Sequence, residues 1–466
     1  MTSFRGWAAF TGILLLVLML AFTPPVLAGY RDLAQADALR SSDPGRAAME
    51  YESAARRLPW RTDLSEQAGL MSLANDNPAQ AVELLKKAVS LSAAGRLALG
   101  DALFRSGDIN GAINQWEKMR ADGLGSAPLY NRLGHVYYEL GKYDDAIEKF
   151  DIAQKLDNLD ADSRYMLGLL LASRSPEFAL DPLIRAAQLD SKLDPVVQSL
   201  RHGLSVALLS ANPAEQLTGA GRSLVASGAW TLGKEAFTNA TKADPKYALA
   251  WAWLGEAKQV LNQGGLAELE HALKLDPASA EIHGLRGVYW MSDNQFEKAR
   301  KEYQLAADIE RSNPGWQVSL GDAIARTGDV PEGLKHYQQA IILSPKSADY
   351  WRMLANFTID YNYGVQEIGI PAALQARALS PDDPQNTVTL GRVYFATGDL
   401  ETAEKLWLDI LDSRPDYPSV QLYLGILYLQ KGNFDSAYSH LTSAKELDPD
   451  GAYGSQAGRM LDQYFP

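Results

Sequence analysis

Between residues 127 and 160, Tyr130, Leu133, Gly134 and Tyr137 stand at spacings i, i+3, i+4 and i+7. That spacing lines them up as one stripe along one face of a helix. Gly141 interrupts the pattern, Asp144 is placed to cap a second helix, and Ala146, Phe150 and Ala153 make a second stripe. The pattern predicts two helices joined by a tight turn, in a unit of about 34 residues. Small residues at the eighth and twentieth positions of the unit let two backbones approach closely, and large apolar residues fill the space between neighbouring units.

Almost everything after residue 28 reads as copies of this unit. Its spacing resembles the tetratricopeptide repeat, W-x2-L-G-x2-Y followed by A-x3-F and then P. In that register residues 29–193 form a first block, with Leu99-Gly100 and Trp116 in one unit and Leu167-Gly168 in another, whose second helix arrives one residue early. Residues 194–213 break the period. Val196, Leu200, Leu204 and Leu208 still make a helical stripe, so an irregular inserted helix is expected there, one that disturbs the superhelix and divides the array. Residues 214–451 form a second block, with Trp251 and Leu254-Gly255, Leu320-Gly321, Leu390-Gly391 and Leu424-Gly425 in successive matches. Two residues are missing between the helices of unit 248–279, and two are added around Tyr363-Gly364 in unit 348–383. Residues 452–466 read as a capping helix over the last apolar face. The resemblance implies an all-α, right-handed α-solenoid of about twelve helix-turn-helix repeats.

Ahead of the array, residues 6–30 carry no charged side chain and residues 6–22 are nearly all apolar. Arg5 and the terminal amine supply the positive flank, so positive-inside logic places everything after residue 30 across the cytoplasmic membrane. Thr23-Pro24-Pro25 is expected to end the apolar helix. Residues 1–28 fit either a signal peptide cleaved before Gly29 or a retained single membrane anchor.

Charge and composition narrow the chemistry. Lys and Arg total 44 against 57 Asp and Glu, a net charge of −13, which argues against a nucleic-acid partner. There are no cysteines, which excludes disulfides, thiolate metal sites and a cysteine nucleophile. The six histidines, His135, His202, His271, His283, His336 and His440, lie in different helices and read as solvent-facing or groove-lining. Residues 228–235 resemble the start of a phosphate loop but place Glu235 where Ser or Thr should hold magnesium. Asp157, Asp160 and Asp162 read as helix caps rather than a calcium loop. Trp116, Trp251, Trp407, Tyr303 and Tyr337 occupy repeat core positions. No catalytic constellation, cofactor or metal site is expected.

The residues that packing leaves over mark where a partner would bind. In the tetratricopeptide family the second, fifth, ninth and twelfth positions of each first helix line the concave groove. On this chain the resemblance implies Asp101, Phe104, Asn131, His135, Tyr138 and Tyr165 in the first block. In the second block it implies Arg222, Glu256, Asp322, Arg352, Asn356, Arg392 and Phe395. Aromatic rings give contact area at little entropy cost, and polar groups fix the register of a bound chain. Arg352, Asn356 and Arg392 come nearest to the family's carboxylate clamp, without its lysines, and suggest an acidic peptide or anionic glycan. The expected function is a non-enzymatic scaffold that holds a protein or peptide outside the cytoplasmic membrane. Its rival is an accessory of envelope polysaccharide synthesis or secretion, holding a glycan or a glycosyltransferase. The N-terminal segment contacts the membrane if it is uncleaved, and the pattern sets no oligomeric state.

Overall fold

The computed structural model describes residues 23–466, all of them in helices, turns and connecting segments, with no strand among the described residues. The apolar run of residues 6–22 lies outside the described residues. Among those described, no helix is long and apolar enough to cross a membrane. Thr23, Pro24 and Pro25, expected to end a helix, are themselves helical, within residues 23–39. The join between these residues and the apolar run lies outside the described residues.

Helix and turn alternate along the described chain, and many of the helix starts are chemically marked. Asp43, Asn77, Ser92, Asp108 and Asp160 each accept a backbone N–H from the first turn of the helix they precede, satisfying a donor that the helix cannot. At the turn of the reference unit, Gly141 takes φ +69° and its N–H reaches the Tyr138 carbonyl at 3.0 Å. Lys142 N–H closes on the Tyr137 carbonyl at 2.8 Å. This left-handed glycine closure ends the helix Ala127–Glu139 and makes Lys142 the cap residue of the helix Tyr143–Leu156. Asp144 is therefore not the cap. It sits in the first turn, where a negative charge suits the helix dipole, and receives Arg174 at 2.9 Å.

Each hairpin closes where a small residue of its first helix meets a large one of its second. A Cβ on Gly134 would lie 2.7 Å from the Phe150 ring, and one on Gly255 the same distance from Leu269. Gly100 and Gly391 meet the edges of Trp116 and Trp407 in the same way. Both indoles are 1–2% exposed and donate N–H to a first-helix carbonyl, Leu97 at 3.3 Å and Val388 at 3.2 Å. Trp251 departs from the core assignment. It lies at the start of the helix Ala248–Val260, half-buried, with its N–H on the Pro245 carbonyl at 2.9 Å and its ring edge-on to His271.

The chain divides into two compact units, residues 1–239 and 240–466. In the first, the inserted helix Asp194–Ala207 touches the helix Leu180–Leu189 before it. It packs on the helix Pro213–Ala226, with Gly203 facing Ser223 and Gly219 facing Ala207. The helix Ala161–Ala172 also touches Pro213–Ala226 directly, so first helix follows first helix past the insert. Leu167, Leu170, Leu183, Leu200, Leu204 and Leu224 share one buried cluster, and Arg174 reaches Glu235 at 2.6 Å. In the second unit the two residues added around Gly364 are absorbed by a wide turn. Gly369 N–H bonds the Gly364 carbonyl at 3.1 Å before the helix Ile370–Leu379 begins.

Candidate functional site

Successive first helices of the first unit enclose an open cavity of about 420 Å³. Asp101, Phe104, Asn131 and His135, expected from the sequence to line one face, all line it, joined by Trp116 and Arg132. Asp101 and His135 are the residues directly after the close-packing glycines Gly100 and Gly134, so the period that buries the glycine turns the next side chain to the cavity. Asp101 is not open. Arg132 grips it with two parallel bonds, Nε to Oδ1 at 2.5 Å and Nη2 to Oδ2 at 2.9 Å. Asp162, read from the sequence as a cap, accepts from Asn131 Nδ2 at 2.8 Å and lies 2.6 Å from His135 Nε2. Asp160 is the cap instead. The bond to His135, with help from Asn131, holds the Asp162 carboxyl below the usual carboxylate range. Sequence reasoning missed Arg132 and the linking role of Asp162. Both are ordinary helix-surface residues until two units are side by side.

Phe104 rests on Trp116 with ring centroids 6.2 Å apart, which leaves a half-buried aromatic floor under the polar groups. Tyr138 and Tyr165 are half-buried and pack on the core rather than line the cavity. Arg222 is exposed and borders a separate cavity of about 400 Å³ beside His202 of the inserted helix.

In the second unit the predicted residues form two groups. Arg392 Nη1 donates to Asn356 Oδ1 at 2.8 Å, its other arm lies 3.4 Å from Asp360, and it sits over the Tyr423 ring at 5.6 Å. Arg352 pairs with Asp349 at 2.5 Å. Both guanidinium groups thus have a carboxylate beside them, which offsets the positive field an anion would need. Phe395 packs 6.0 Å from Trp407, as Phe104 packs on Trp116. The other group is acidic. Asp322 accepts from the Tyr361 hydroxyl at 3.2 Å. Glu256 is 7% exposed, its Oε2 has no hydrogen-bond partner, and burial pushes its carboxyl up to about 7.

His283 departs from the surface reading. It is buried, 2.7 Å from Glu302 and 3.2 Å from the Pro277 carbonyl, and Glu302 also takes Arg286 at 3.0 Å. The Glu302 bond raises the His283 pKa. His336 and His440 each bond a glutamine on the neighbouring helix, at 2.8 and 2.7 Å, and burial lowers both pKa values. Among the described residues no group of three or more His, Asp or Glu is placed to hold a metal ion.

Stacked hairpins, each opened by a small residue of its first helix and lined by the residue after it, define a helical-repeat scaffold protein. Residues 134–173 match the family model described as TPR repeat, and residues 218–257, 262–315 and 388–452 match the one described as tetratricopeptide repeat. Those four stretches of the chain carry tetratricopeptide repeats. Among solved structures it is similar to yeast Tom70, at 15% identity and TM-score 0.45 over 93% of this chain and 95% of that one. It is also similar to Cut9 in its complex with Hcn1, at 16% identity and TM-score 0.38 over 91% and 94% of the two chains. The tetratricopeptide-repeat protein YrrB matches at 18% identity and TM-score 0.29, over 41% of this chain and 97% of its own.

Proposed function

We propose that the chain is a non-enzymatic scaffold that binds an extended peptide or a protein surface along its row of first helices. The observation that carries this reading is the cavity where Asp101, Phe104, Asn131 and His135 converge. It combines an aromatic floor with amide, imidazole and carboxylate groups on rigid helices, which suits recognition of side chains and peptide bonds. The family supports it too, since its repeats stack into a continuous surface suited to holding a partner. Panning a random dodecapeptide library on the chain should return binders. Phe104→Ala and Asn131→Ala should each weaken them about tenfold or more, measured by fluorescence anisotropy. Binders indifferent to both substitutions would place the contact elsewhere.

The scaffold works outside the cytoplasmic membrane on this reading, which the charge pattern of residues 1–30 supports. Alkaline phosphatase fused after residue 40 should be active in a bacterial host and lose activity when residues 6–22 are deleted. An inactive fusion would overturn the placement.

A further inference from the structure

Two acceptors of the first unit's cavity are left over once its internal bonds are counted. Arg132 uses all three of its nitrogens inside the molecule, two on Asp101 and Nη1 on the Pro128 carbonyl at 3.0 Å. Arg105 is drawn to Asp76, 3.7 Å away. His135 meets Asp162, and the Asn131 amide donates to Asp162 and, at 2.9 Å, to the Ser163 hydroxyl. An asparagine amide carries two N–H donors, so Asn131 has none to spare, and the Asp162 carboxylate fixes which way round it sits. The cations and donors that line the cavity are therefore engaged. What remains is the Asn131 carbonyl oxygen and the whole carboxylate of Glu139, neither of which accepts a hydrogen bond among the described residues. Glu139 is exposed in the last turn of the helix Ala127–Glu139, and Phe104 stands in the last turn of the helix Ala93–Arg105. At both helix ends the backbone dipole favours a positive charge. The carboxylates about the cavity, Asp101 and Glu139 with Asp76 and Asp162 bonded to its walls, also outnumber the guanidinium groups of Arg105 and Arg132.

We propose that this cavity takes one basic side chain, lysine or arginine, of the bound peptide, with its stem on Phe104 and its charged end at Glu139. The exposed part of the half-buried Phe104 ring gives the methylenes an apolar seat and the cation a π face. The ammonium or guanidinium group supplies the donors that the open acceptors lack. A carboxylate or phosphate guest fits badly, because it would meet the Glu139 charge and find the donors already engaged. A metal ion would lack a group of three ligands. This rests on the peptide-binding reading and names the side chain that the cavity selects. Phe104 and Glu139 both lie within residues 1–239, so the guest needs only the first unit.

The test uses the full chain and those selected dodecapeptides that lose affinity for Phe104→Ala. They should share one Lys or Arg position. Norleucine there keeps the stem and drops the charge. It should weaken binding to the natural chain about three- to tenfold at low salt, and much less to Glu139→Gln. Glutamate at that position should bind the natural chain worst and gain affinity for Glu139→Lys. Amidating the peptide's C-terminal carboxylate should not weaken it. Glu139 is exposed at a helix end, so neither substitution disturbs the core. A shared position that is not basic, a norleucine loss undiminished in Glu139→Gln, or a loss on amidation would overturn the basic subsite and leave the scaffold reading standing. Binders all indifferent to Phe104→Ala would move the contact out of this cavity and overturn the subsite with it. An absence of any binder would overturn both readings.

Discussion

Trp407→Ala is expected to destabilise the second unit by about 3–5 kcal/mol, because the indole is the filling of one hairpin and part of its interface with the next. Trp407 is 1% exposed and lies in the gap left by Gly391. It stacks on Tyr423 at 5.5 Å, contacts Phe395 at 6.0 Å, and donates to the Val388 carbonyl at 3.2 Å. Truncation removes the buried surface, strands that carbonyl contact and leaves a cavity between rigid helices that collapse poorly. In a repeat array each hairpin is stabilised by itself and by its immediate neighbours. Native-state hydrogen exchange should therefore show lost protection in the helices Pro384–Thr397, Leu400–Ser413 and Pro418–Gln430, with helices two hairpins away little changed. A loss below about 1 kcal/mol, or one spread evenly along the chain, would contradict the packing described.

Glu256→Gln is expected to stabilise the chain at pH 8 by about 2–3 kcal/mol and to have little effect near pH 4.5. Burial raises the Glu256 carboxyl from 4.5 to about 7, so the folded form prefers it protonated. Below pH 4.5 both folded and unfolded chains hold the proton, and no penalty exists. Between 4.5 and about 7 only the unfolded chain gives it up, so stability falls as pH rises; above about 7 the penalty is complete. A tenfold change in proton affinity corresponds to about 1.4 kcal/mol, which sets the upper end of the figure, and the cost of burying the amide lowers it. Urea denaturation of both proteins at pH 4.5, 6 and 8 measures the trend. A gain that does not grow with pH would show that the carboxyl is solvated or already paired.

Local chemistry carried the helical hairpins. The stripe through Tyr130, Leu133 and Tyr137 and the break at Gly141 act over a few residues, which is why they could be read from the sequence. The wide turn at Gly364 was legible for the same reason, as two residues too many between two stripes. Where the reading failed, a partner distant in sequence had intervened. Asp144 looked like a cap and became the acceptor of Arg174; Asp162 looked like a cap and became the link between Asn131 and His135. His283 looked like a surface residue and is enclosed by Glu302. Each partner lies some 19 to 31 residues away, about one repeat.

Repeat period and hydrophobic phase were enough to determine the helical array, the small residue that opens each hairpin and the row of residues directly after it. Those features arise from contacts within a single unit, which the chain writes in consecutive residues. Only the tertiary structure decided which members of that row are satisfied and which are not. Asp101 is taken by Arg132, Asn356 by Arg392, and Glu256 by nothing. That choice depends on how neighbouring units place their side chains against one another, and burial and charge pairing are properties of that arrangement rather than of any one segment.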